Sequence, residues 1–115
     1  MINSGGSQNI FSSGVANSAT LSGGIQNVSF GGTANNTVIS NGGDQIVNGG
    51  AVVTSADLLS GGTQTLLSGA SVNLTTVKSG AVQAIGNAAS ATSTTLSGGT
   101  QNISGGGSAV STVIS

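Results

Sequence analysis

The sequence predicts an all-β fold: a right-handed parallel β-helix (β-solenoid), three-sided, with about six coils of 18–19 residues, occupying residues 1–115 as a single domain. Three observations lead there. A Gly-Gly-x-Gln pattern, or a close variant, begins at Gly5, Gly23, Gly42, Gly61, Gly80 and Gly98, so successive starts lie 18, 19, 19, 19 and 18 residues apart. The glutamines Gln8, Gln26, Gln45, Gln64, Gln83 and Gln101 each stand three residues after such a start, and the chain has no others. Within every repeat the chemically restricted positions come in pairs two residues apart, the period of a strand whose alternate side chains share a face.

The first pair predicts the first strand of each coil. Two residues after the glutamines come Ile10, Val28, Val47, Leu66, Ile85 and Ile103, all aliphatic. Glutamine therefore shares the inward parity of an aliphatic residue, where stacked side-chain amides can bond from coil to coil as in amide ladders. The alternative is that the glycine corner turns the strand and leaves the glutamines facing outward. The second strand carries Gly14, Gly32, Ala51, Ala70, Ala89 and Gly107, and two residues on Ala16, Ala34, Val53, Val72, Ala91 and Ala109, a face of small apolar side chains. The third carries Ala19, Thr37, Ala56, Thr75, Thr94 and Thr112, followed at two residues by Leu21, Ile39, Leu58, Val77, Leu96 and Ile114.

Between the strands lie Gly, Ser, Asn and Thr, which supply the positive φ and the side-chain bonds of sharp corners. No stretch sustains the three-and-four spacing of a helix. With coils stacked ~4.8 Å apart, six coils make a rod about 30 Å long. The twelve residues of the two large aliphatic columns are its expected core.

Composition narrows the function. Ile, Leu, Val and Phe total 28 residues, too many for a flexible Gly/Ser linker despite 21 glycines. The net charge of −1 comes from Asp44, Asp57 and Lys78, so no basic surface exists to draw nucleic acid or acidic lipid. The chain has no Cys and no His, which removes thiolate and imidazole metal sites and nucleophilic triads; no cofactor-binding motif is present. Asp44 and Asp57 are expected on different faces, too far apart for paired acid/base catalysis, so no catalytic residue is assigned and the chain is not expected to be an enzyme. The aspartates and the lysine read as solubilising marks. Four Asn-x-Ser/Thr triplets follow from composition alone. No apolar run approaches the roughly 18 residues of a membrane span, and Met1–Ser4 lacks the character of a signal peptide.

The residues Gly23-Gly24-Ile25-Gln26-Asn27-Val28, then Gly31-Gly32-Thr33-Ala34, then Thr37-Val38-Ile39-Ser40 closely resemble the AIDA-type repeat of autotransporter adhesin passengers, and the similarity runs from Ile2 to Ser115. The resemblance implies a right-handed parallel β-helix displayed on the surface of Gram-negative bacteria. There it would support adhesion to host or bacterial cells, self-association and biofilm formation. It places the chain outside the cell or on the bacterial surface, as a fragment of a passenger or a stand-alone self-assembling relative without a signal peptide or membrane barrel.

Two further expectations concern contact. The outward column Asn17, Asn35, Thr54, Asn73 and Thr92, ending at Val110, is the candidate face for association with another rod, through weak bonds that add along its length. An ice-binding or glycan-binding face is the minor alternative, and the outward column Thr20, Val38, Asp57, Thr76, Thr95, Val113 is too irregular for a water-ordering threonine array. End-to-end stacking is also expected, with Ser115 of one copy meeting Ile2-Asn3-Ser4 of the next, and Gln8 and Gln101 paired through the junction.

Overall fold

Each repeat becomes one turn of a three-sided coil in the computed structural model, which describes residues 1–115. The first coil and its lead-in hold β1 (Ile2–Asn3), β2 (Ser7–Ile10), β3 (Val15–Asn17) and β4 (Thr20–Ser22). The second holds β5 (Ile25–Val28), β6 (Thr33–Asn35) and β7 (Val38–Ser40), and the third β8 (Asp44–Val47), β9 (Val52–Thr54) and β10 (Asp57–Leu58). Next come β11 (Thr63–Leu66), β12 (Ser71–Asn73), β13 (Thr76–Lys78), β14 (Val82–Ile85), β15 (Ser90–Thr92) and β16 (Thr95–Ser97). The last coil is β17 (Thr100–Ile103), β18 (Ser108–Val110) and β19 (Val113–Ile114).

Every third strand joins the same parallel sheet. The glutamine sheet runs β2-β5-β8-β11-β14-β17 and the small-residue sheet β3-β6-β9-β12-β15-β18, six strands each. The third sheet runs β1-β4-β7-β10-β13-β16-β19 and has seven. Backbone hydrogen bonds therefore lie along the rod axis, for example Val38 N–H to Ala19 C=O at 2.9 Å and Asp57 N–H to Thr37 C=O at 2.8 Å. Register is repeat on repeat: Gln26 faces Gln8 and Gln45, Val53 faces Ala34 and Val72, and Leu58 faces Ile39 and Val77. The longest dimension is 30 Å, as coil number and strand spacing require. No helix is long and apolar enough to cross a membrane.

Ten of the twelve expected large core residues are buried, and two are not. Ile103 is 48% exposed and Ile114 is 79% exposed. Both belong to the last coil, which has no neighbour above it, so inward parity alone does not cover them. The small-residue sheet closes the interior: Ala34, Val53, Val72 and Ala91 are buried against the aliphatic columns.

The three corners are built differently. Between the second and third strands one residue turns the chain in the left-handed region: Ser18 (φ 59°), Asn36 (56°), Ser55 (62°), Leu74 (61°), Ser93 (59°) and Ser111 (58°). Leucine is the poorest of these residues there, since its Cβ crowds the following carbonyl while Asn tolerates the region. Its side chain is 51% exposed and contributes little burial. Leu74→Asn is expected to stabilise the fold by about 1 kcal/mol, and Leu74→Val to destabilise it, read as opposite shifts of the urea midpoint.

The corner between the third strand and the next coil explains the two repeat lengths. Where the spacing from the preceding start is 19, one extra residue (Asn41, Ser60 or Ser79) precedes the glycine, and a tight turn closes through Gly43 N–H to Ser40 C=O, Gly62 N–H to Leu59 C=O and Ala81 N–H to Lys78 C=O at 2.8–2.9 Å. In the 18-residue spacings that residue is missing. Gly23 and Gly98, both at φ 82°, instead form isolated bridges to Asn3 and Lys78. The strands on either side keep register, with Gln8 opposite Gln26 and Gln83 opposite Gln101. Only this corner absorbs the change of length.

Candidate functional site: an interior amide ladder and the outward columns

The glutamines point inward. Gln26, Gln45, Gln64 and Gln83 are fully buried, and Gln8 and Gln101 are half-buried at the two ends. Because parallel register sets each directly above the last, the amides join into one continuous chain of bonds. Gln26 Nε2 donates to Gln8 Oε1 at 2.7 Å, Gln45 to Gln26 at 2.7 Å and Gln64 to Gln45 at 2.7 Å. Gln83 donates to Gln64 and Gln101 to Gln83, each at 2.8 Å. Every one of these bonds runs from a later coil to an earlier one.

A second donor reaches the ladder from within the same coil. The hydroxyls of Thr37, Thr75 and Thr94 donate to Oε1 of Gln26, Gln64 and Gln83 at 3.5 Å, and that of Thr112 to Gln101 at 3.4 Å. Sequence reasoning found both columns but not their contact, because a period of two tells which side chains face inward and not which of them meet across the interior. The constant offset of 11 residues between Gln and Thr was the available signal. Two coils lack this donor, since Ala19 and Ala56 stand where the others have Thr. Gln45 Oε1 is thus held by Gln64 alone.

The outward columns are as regular but wetter. Asn17 and Asn73 are exposed and Asn35, Thr54 and Thr92 half-buried. Asn35 Nδ2 donates to Asn17 Oδ1 at 3.1 Å, so part of this face's bonding capacity is taken up within the rod. On the glutamine sheet Asn27 bonds Asn9 in the same way at 2.9 Å. At the corner between first and second strands Phe30 is 75% exposed, and its ring lies over the next coil in the space a side chain at Gly50 would fill.

Asp44 and Asp57 lie on different sheets, in β8 and β10, and neither is freely solvated. Lys78 Nζ approaches Asp57 Oδ2 at 3.6 Å, while Asp57 Oδ1 is buried without a partner. Asp44 is half-buried; desolvation pushes its carboxyl above the usual range, and a 3.3 Å bond from the Thr65 hydroxyl to Oδ1 partly opposes that. A carboxyl whose pKa is raised by folding binds more protons folded than unfolded. Its contribution is therefore best at low pH and is lost as pH rises from the unfolded value of about 3.9 through the folded one. Asp44→Asn should melt above the parent at pH 7, and the gap should close as the pH falls below about 4. Thermal melts across that range check it.

No cluster of three His, Cys, Asp or Glu side chains exists. The surface has no cleft, and the interior is filled by side chains. No family model and no curated protein matches the chain. Among solved structures, one described as a TibC-catalyzed hyper-glycosylated TibA fragment is 24% identical, with a TM-score of 0.45 over 99% of this chain and 70% of that one.

Proposed function

We propose that this chain is a structural and adhesive stalk segment, a rod that presents repeated neutral amide and hydroxyl groups at a cell surface and holds to other rods or surfaces by many weak bonds. The observation that carries this reading is the division of labour within the repeat. The interior columns, glutamine ladder included, are consumed in stacking coil on coil, while outward columns such as Asn17, Asn35, Thr54, Asn73 and Thr92 repeat polar groups at the coil spacing. Repetition of weak contacts along a stiff rod gives avidity without a pocket. The AIDA-type character of the repeat favours display as part of an autotransporter passenger, with self-association and biofilm formation as outcomes. We read the segment as non-catalytic, in keeping with two carboxylates on separate sheets.

The test is display of this segment on Gram-negative cells, with settling measured as a sign of cell-to-cell contact. Asn17→Lys, Asn35→Lys and Asn73→Lys together would place like charges along the face, and cells should then stay dispersed while the purified variant keeps its β spectrum. Unchanged settling of a folded, displayed variant would overturn the assignment of this face. Absence of settling by the parent segment would overturn the adhesive reading.

A further inference from the structure

Asparagine followed by glycine occurs twice in the chain, at Asn41-Gly42 and at Asn48-Gly49, on either side of β8. The pairing carries a chemistry of its own. A backbone nitrogen one residue after an asparagine can attack the side-chain amide carbon, and glycine, with no Cβ to shield that nitrogen or restrict its backbone, hinders the attack least. The two pairs present the nitrogen differently.

At Asn41-Gly42 the nitrogen is occupied. Gly42 N–H donates to Gly61 C=O at 2.9 Å, and Asn41 N–H donates to Ser60 C=O at 3.1 Å, so attack would open the pairing between two coils. At Asn48-Gly49 it is free. The corner between β8 and β9 is a turn closed by Ala51 N–H to Asn48 C=O, and Gly49 N–H, half-buried within it, donates to no group of the protein. One bond restrains the Asn48 side chain, from Nδ2 to Val28 C=O at 3.1 Å, and its release breaks no backbone pairing. The fold also favours glycine beside this asparagine, since a Cβ at position 49 would stand 2.7 Å from Ser68 O.

We propose that Asn48 is a self-modifying site, at which the folded rod converts an amide into a carboxylate with water as the only co-reactant. Gly49 N bonds to Asn48 Cγ, and Nδ2 takes up the displaced proton and leaves as ammonia, which closes a cyclic succinimide. Water then adds to one of its two carbonyls. Cleavage of the new Cγ–N bond gives aspartate; cleavage of the original backbone C–N bond gives isoaspartate, with the chain rerouted through Cγ. Either product adds a negative charge to a chain whose net charge is −1, and sets an oxygen against Val28 C=O where the amide had donated. Isoaspartate also lengthens the backbone at a corner whose residue count is the same in all six repeats. The rod is therefore weakened with age at one defined coil, away from the lateral column proposed above.

Purified chain kept folded at physiological temperature and mildly alkaline pH, beside the same chain in urea, tests the site by peptide mass spectrometry and enzymatic methylation of isoaspartate. In urea the two pairs should react at similar rates. In the folded chain Asn48 should convert several-fold faster than Asn41, and the aged rod should have a lower urea midpoint than the fresh one. Asn48→Ser copies Ser104, whose hydroxyl donates to Ile85 C=O of the preceding coil at 3.4 Å. It should remove most of the isoaspartate from the folded chain while leaving the fresh midpoint unchanged. Equal rates at Asn41 and Asn48 in the folded chain, or protection of both relative to urea, would overturn the proposal.

Discussion

Gln64→Glu should be among the most damaging single substitutions in the chain at neutral pH, and acid should repair it. Gln64 is fully buried, donates to Gln45 Oε1 at 2.7 Å and accepts from Gln83 Nε2 and the Thr75 hydroxyl. A carboxylate there keeps the two accepted bonds but turns a second oxygen toward Gln45 Oε1, which has no threonine to fall back on because Ala56 occupies that place. The loss should be about 3–5 kcal/mol at pH 7. Protonation restores a donor. The folded pKa of the new carboxyl therefore lies well above the unfolded value of about 4.3, and stability returns as pH falls through that window. Gln64→Leu removes the same donor without adding charge and strands Gln83 Nε2 and Gln45 Oε1. It should lose about 2–3 kcal/mol with no acid recovery. Urea midpoints for both variants at pH 7 and near pH 4 decide the matter, and parallel behaviour of the two would show that the ladder does not require a donor at this coil.

Three deletions, one of 19 residues and two of a single residue, should rank in an order that length does not predict. Removing Gly42 through Ser60 takes out one whole coil and should leave a folded, shorter rod, because each coil contacts only its neighbours and Asn41 is delivered to Gly61 in the phase it had at Gly42. Removing Ser60 alone should cost within about 1 kcal/mol, since the approaches to Gly23 and Gly98 already lack that residue and their strands stay in register. Removing Val47 alone should be the worst. Val47 is fully buried, and its loss pulls Asn48 into the core and breaks the turn closed by Ala51 N–H to Asn48 C=O at 3.1 Å. At least about 4 kcal/mol is expected from lost burial and a stranded amide together. Circular dichroism with urea titration gives the order, and equal damage from Ser60 and Val47 deletions would refute the idea that one corner alone takes up slack.

Most of the architecture is written in the columns, because a parallel coil sets like above like and any inward position must be restricted in all repeats at once. The glutamines show why this works: an amide facing its own kind on both sides fixes the residue type. The corner residues show where it stops. Nothing about Ser18, Ser55 or Leu74 signals a left-handed backbone, since serine is common throughout the chain and leucine is a poor occupant; the fold imposes that conformation on whatever residue arrives. The exposure of Ile103 and Ile114 is equally invisible in a column, as position along the rod and not residue type decides it. Strand alternation puts the aspartates on separate faces, but their partial burial depends on neighbours such as Thr65 and Lys78 in the adjoining coil.

Because the backbone hydrogen bonds run along the rod, tension applied between its ends passes through the coil interfaces in series, and they give way one coil at a time instead of all together. Peeling a single 19-residue coil releases a contour of roughly 65 Å in place of a rise of ~4.8 Å. A pulled rod would therefore lengthen more than tenfold per coil before its chain is taut, giving a sawtooth of small force drops with the remaining coils still folded. As a tether it would dissipate a sudden load and re-form coil by coil when slack returned, which makes it a shock absorber.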